Sequence, residues 1–184
     1  MNSRRLVGGF MGILLLVGAT GLGEDKTPQP DVALQVTVVF NEYDGAKKVA
    51  SLPYVMPCKT SRNYERSQLR MGFRVPIEVK QDEIQFQDVG THIDCSSMPP
   101  DEHGSFMVRL GVDHETVYSP TGASDTAAEW HPGEPLASHP VFGEITASLQ
   151  DLLLHDGQTV QALAATDPVS GHVWKVEVTL NVVK

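Results

Sequence analysis

The chain is poor in several things whose absence narrows its function. Only two cysteines, Cys58 and Cys95, occur in 184 residues, with no C-x-x-C pair and no Cys–His spacing, so a zinc finger or ribbon is excluded. No apolar run reaches the roughly 20 residues that a membrane-spanning helix needs. Basic residues are scarce, 14 Lys+Arg against 23 Asp+Glu, a net charge of −9. That balance lacks the basic stripe of a nucleic-acid binder and disfavours an anionic membrane surface. No glycine-rich loop opens a helix to cradle a phosphate. Ser124 and Ser170 stand outside the G-x-S-x-G elbow, and Cys95 follows Asp94, an anion that opposes a thiolate. The acidic pairs Asp82-Glu83 and Asp101-Glu102 sit in polar turns, where solvated charge is the ordinary explanation. These patterns offer no catalytic residue and no cofactor site, and an enzyme is not expected.

What is present is a globular composition, 41% hydrophobic and 20% charged, on the scale of one domain. Arg4 and Arg5 precede an apolar stretch from Leu6 to Val17, followed by small residues to Gly23 and then polar Glu24, Asp25 and Lys26. This is the layout of a secretory signal peptide, with cleavage expected after Ala19 or Gly23. The expected organisation is a signal peptide over 1–23, a linker over 24–31 and a single β domain over 32–184. Loss of Arg4 and Arg5 takes the net charge from −9 to −11. An exported chain meets an oxidising compartment, where Cys58 and Cys95 can persist as a disulfide.

Strand periodicity dominates. Residues 32–40 are β-branched and aromatic, Asp44-Gly45 supplies a turn, and 47–52 return as a second strand that Pro53 is expected to interrupt. Residues 60–68 read as an exposed loop. Leu69, Met71, Phe73 and Val75 alternate with Arg70 and Arg74 until Pro76, where the strand is expected to stop. A further strand is expected over 84–89, extended beyond Gly90 by 93–95, and another over 106–115 with Phe106, Val108, Leu110 and Val112 inward. Residues 98–104 join these as a hairpin connection. Residues 119–139 form a long loop carrying Trp130, and loops of that length are usually functional or disordered. Three last strands cover 142–154, 158–165 and 173–183, the final one placing Trp174, Val176, Val178, Leu180 and Val182 on one face. No repeat and no long amphipathic helix is evident. The expected fold is all-β, an antiparallel β-sandwich or open barrel of seven to nine strands.

The order of features from Met71 onward resembles the C-terminal β-domain of bacterial secretins, the ring-forming gates of type II and type III secretion and type IV pili. The resemblance lies in Gly72-Phe73-Arg74-Val75-Pro76-Ile77, in Phe86 to Asp94 around Val89-Gly90, in Gly104 to Leu110, and in Asp156-Gly157-Gln158-Thr159-Val160. It spans about residues 69–163. Where secretins carry Gly-Gly-Leu after the last of these hairpins, this chain has Leu163-Ala164-Ala165-Thr166. It then runs through one more strand in place of the segment that builds the inner wall of the secretin barrel. The resemblance therefore implies a secretin-related β-domain without the gate.

Seven histidines raise the question of a metal. His92 and Asp94 lie two apart on a strand and His114 is a possible partner across the sheet; His103, His131, His139, His155 and His172 fall in turns or loops. A metal needs several ligands converging, and surface or core histidines are expected instead. Binding is better served by Trp130 and His131 in the long loop and by Trp174 on the last strand, if that strand lies at a sheet edge. The leading expectation is an exported, non-enzymatic β-domain, periplasmic or outer-membrane associated. It acts by protein–protein contact, through an envelope protein partner or self-association, beside a secretion or pilus apparatus. The alternative is an extracytoplasmic ligand- or glycan-binding β-sandwich using the 119–139 loop.

Overall fold

Alternating apolar residues need a second layer to cover them, and here they find it in two facing sheets. The computed structural model describes residues 32–80, 83–120, 127–129 and 140–183. Its strands are β1 (Ala33–Asp44), β2 (Lys47–Lys59), β3 (Ser67–Lys80), β4 (Glu83–Ser97), β5 (Phe106–Pro120), β6 (Ala127–Glu129), β7 (Val141–Leu154), β8 (Thr159–Thr166) and β9 (Val173–Val182). One sheet has the order β2-β1-β9-β8; in the other β3-β4-β5 continues, with β7 pairing along β5 and the short β6 on its end. Every strand pairing is antiparallel. The fold is all-β, two open sheets forming a sandwich and not a closed barrel.

The core forms where the alternations of the two sheets meet. Val36, Val38 and Phe40 of β1 and Val176, Val178 and Leu180 of β9 face Ile93 of β4 and Val108, Leu110 and Val112 of β5, all within 1% of full burial. Burying each such side chain contributes about 1.5–3 kcal/mol relative to exposure. The Cys58–Cys95 disulfide ties β2 to β4 across the two sheets at a Cα separation of 5.8 Å. A parallel bridge between Thr60 and Ser97 extends the same tie.

Two expectations about strand ends are corrected. Pro53 does not stop β2, which runs to Lys59 through Pro53 and Pro57, and Pro76 does not stop β3. Both strands are sheet edges, where one row of N–H groups has no ladder partner and proline's missing donor costs little. As the alternation implied, 84–89 and 93–95 belong to one strand, β4, which passes through Gly90. There the backbones of β3 and β4 approach so closely that a Cβ on Gly90 would stand 2.2 Å from the Met71 carbonyl oxygen. Gly90 has φ +149°, a conformation open chiefly to glycine.

Candidate interaction surfaces

Gly72 pairs with Gly90, and this is where the β3–β4 hairpin changes character. On its near side Leu69 pairs with buried Ile93, and β4 pairs with β5 from Thr91 to Ser97. Beyond it β4 no longer pairs with β5, and the two strands continue as a ribbon. Val75 and Val89 of that ribbon pack with Val117 and Phe142 in a small separate cluster. Ile84 and Phe86 on one face of the ribbon are 61% and 64% exposed, and Phe73 on the other face is 41% exposed; Met71, 64% exposed, lies just on the near side of the glycine pair. Ile84 and Phe86 share a face with Arg74 and Asp88, which form an exposed ion pair at 2.9 Å. Such a pair is worth little to stability. Among the described residues no strand pairs with the outer edge of β3.

The opposite side of the sandwich is less tightly shut. β7 and β8 lie at sheet edges and alternate between exposed and half-buried residues, with Leu149, Leu163 and Val160 only partly covered. Between them opens a cavity of about 360 Å³ lined by Tyr118, Phe142, Ile145, Leu163 and Trp174. At its mouth the Tyr118 hydroxyl donates to Asp167, which also accepts from the Val169 N–H and the Ser170 hydroxyl. Burial raises the Asp167 carboxyl, but these bonds outweigh it and hold the group below the usual carboxylate range.

His114 sits beneath this cavity, 5% exposed. Its ring lies tilted between Phe40 and Trp174, with centroids 5.0 and 5.2 Å away, and its Nδ1 lies 2.7 Å from Thr91 Oγ1. Thr91 in turn donates to the Tyr54 hydroxyl at 2.8 Å. Burial pushes the imidazole down to about 4, so it is neutral at neutral pH. His92, on the next residue of β4 from Thr91, is exposed on the other face, so His92, Asp94 and His114 do not converge. Among the described residues no three His, Cys, Asp or Glu side chains are grouped to hold a metal.

A second, polar cleft of about 420 Å³ lies on the outer face of β4, β5 and β7, under the 61–66 loop. Tyr64 in that loop lays its ring on the Arg109 guanidinium at 3.9 Å, and Asp151 Oδ1 is 3.4 Å from Arg109 Nη2.

The residues singled out for partner binding fare differently. Trp130 and His131 lie outside the described residues. Trp174 is corrected: β9 is central, between β1 and β8, and the ring is 2% exposed, so it is core and no partner can cover it. Phe86 and Ile84 carry the exposed apolar surface instead; their alternation was readable, but only the Gly72 and Gly90 pair hinted that the strands leave the sheet. Tyr64 and Arg109 lay in segments that read as solvent-facing.

No protein-family model matches the chain, and no curated protein sequence matches it. Among solved structures it resembles the InvG secretin domain β-barrel of the Salmonella SPI-1 injectisome. That match has 9% identity and a TM-score of 0.42, covering 83% of this chain and 59% of that one. The type II secretin GspD of enteropathogenic Escherichia coli matches at 10% identity and a TM-score of 0.42, over 84% and 67% of the two chains. The type IV competence pilus secretin PilQ of V. cholerae is a further match, at 10% identity and a TM-score of 0.37, over 83% and 58%. The chain thus spans about three-fifths to two-thirds of these proteins' lengths.

Proposed function

We propose that this chain is an exported, non-enzymatic β-domain that acts by protein–protein contact in the bacterial cell envelope, periplasmic or outer-membrane associated, beside a secretion or pilus apparatus. The observation that carries the reading is the outer half of the β3–β4 hairpin. Ile84 and Phe86, both more than half exposed, stand two residues apart on one face of the ribbon beside the outer edge of β3, and exposed apolar side chains next to an edge with open backbone groups are a surface for a partner to cover. Such a ribbon accepts a partner in two ways at once, by strand addition along β3 and by covering Ile84 and Phe86. The partner is an envelope protein or a second copy of the chain. Export is favoured by the Arg4-Arg5 start with its apolar run, and by a disulfide that persists in an oxidising compartment. The apparatus is suggested by the ordered motifs over residues 69–163.

Light scattering on the mature protein, with a pull-down from envelope extracts, tests this. Self-association or a captured envelope protein is expected, and both should disappear in an Ile84→Ser, Phe86→Ser double variant that still folds. A protein that stays monomeric and captures nothing, or one whose associations ignore the double variant, overturns the reading.

A further inference from the structure

The polar cleft on the outer face of β4, β5 and β7 belongs to neither the hairpin ribbon nor the core. Its floor is made of small residues placed side by side by the register: Asp94 pairs with Gly111 and Gly111 with Ser148, while Ser96 pairs with Arg109. Gly111 keeps that floor low. The wall is the 61–66 loop, held down where the Ser61 N–H donates to the Ser97 carbonyl at 2.9 Å.

Arg109 is held in an unusual way. The two non-glycine residues with positive φ among the described residues are Tyr64 (φ 52°) and Asp151 (φ 58°), and both contact this one guanidinium. Asp151 reaches it from a bulge in β7, where the register shifts opposite Val108 and Leu110. Left-handed backbone at such residues is strain that surrounding structure must sustain, and it gathers where a side chain has to be aimed. The long contact to Asp151 is the one hydrogen bond of the Arg109 side chain among the described residues, and its Nε is buried without a partner, which leaves the two Nη groups to meet a ligand. A guanidinium has five N–H donors, so most of its capacity is unspent.

The charges nearby run against the chain as a whole. Arg66 lines the cleft with Arg109, Asp94 on the floor is paired with Arg70 at 2.8 Å, and Asp151 is paired with Arg109, so three arginines stand against two carboxylates. Within a chain of net charge −9 this is a local excess of cations. Arginine forks match the two oxygens of a carboxylate. The other polar groups facing the cleft, Ser148, Gln150, Asn63 and Ser96, are neutral donors and acceptors suited to hydroxyls. Asp94 and Asp151 accept from hydroxyls but repel a dianionic phosphate. The volume lies within the range of small-molecule sites.

We infer that this cleft binds a carboxylate-bearing saccharide, with Arg109 and Arg66 holding the carboxylate and the Ser148–Gln150 side of β7 holding ring hydroxyls. The site is separate from the β3–β4 ribbon and does not depend on its partner.

Calorimetric titration of the full, oxidised chain with trigalacturonic acid tests the assignment, with maltotriose as the neutral counterpart. Binding of the acidic trisaccharide alone is expected at millimolar or tighter affinity. Arg66→Gln, which alters an exposed side chain and should leave the melting curve in place, is expected to weaken it about tenfold, as loss of a charged hydrogen bond does. Arg109→Gln is expected to abolish it, and Arg74→Gln, out on the ribbon, to leave it unchanged. Absence of binding overturns the inference. So does equal binding of maltotriose, equal weakening by Arg74→Gln, or displacement by inorganic phosphate at equal concentration, which would mark a general oxyanion site.

Discussion

The two halves of the β3–β4 hairpin share an alternating pattern and meet opposite fates. Near its base, Ile93 and Cys95 are fully buried and Thr91 nearly so, because β5 lies alongside and β1 and β2 lie across. In its outer half Ile84 and Phe86 remain more than half exposed, while Val75 and Val89 are buried. Alternation therefore marks a strand with two distinct faces, but burial requires a second layer, and that layer ends near Gly90. Apolar side chains retained on the uncovered half do nothing for the core of this chain, which is why they carry the functional reading. The comparison can be broken from either half.

The largest effect is expected at the base. The disulfide closes a separation of 37 residues, and its removal in a Cys58→Ala, Cys95→Ala variant should cost about 4 kcal/mol through the loosened unfolded chain. Melting followed by circular dichroism should show a drop on the order of 10 °C. A melting temperature unmoved by the substitutions, or by reductant, would mean that packing alone holds the base together.

The next effect belongs to His114, bonded to Thr91 on the same buried half of β4. Its folded-state value of about 4 lies below the ordinary 6.5, so between these limits the unfolded chain binds more protons than the folded one. Stability from this group is fully present above pH 6.5, declines as the pH falls through the window, and is gone below about 4. The loss amounts to about 3 kcal/mol by proton linkage. Urea denaturation at several pH values should show that decline, and His114→Gln should flatten it relative to the parent. Parallel curves for the two proteins would contradict a neutral, buried imidazole.

The buried half was readable because it follows period-two rules. The inward set Phe106, Val108, Leu110 and Val112, and the Trp174 to Leu180 face of β9, are buried as their alternation implies. The pairing of Cys58 with Cys95 followed from their number and the expected compartment. Edge position was not readable: Pro53, Pro57 and Pro76 are breakers in a central strand and harmless in β2 and β3, and topology alone separates the cases. Trp174 failed for the same reason, since nothing local tells a central strand from an edge. The Tyr64–Arg109 contact joins residues 45 apart through a loop tied down by Thr60 and Ser97, a non-local arrangement that no spacing rule contains.

The smallest stability effect is expected at the outer half, and its smallness is the point. Replacing Ile84 and Phe86 by serine removes side chains that are about two-thirds in water already, so the loss should stay within about 0.5 kcal/mol. Denaturation midpoints of parent and variant should nearly coincide while association differs. If instead the variant loses as much as a core substitution, Ile84 and Phe86 are supporting the fold, for example by holding Val75 and Val89 on Val117. The ribbon would then be an extension of the core and its exposed face a by-product. A coincident midpoint with lost association separates the two halves cleanly: one keeps the sandwich closed, and the other is kept for what it touches.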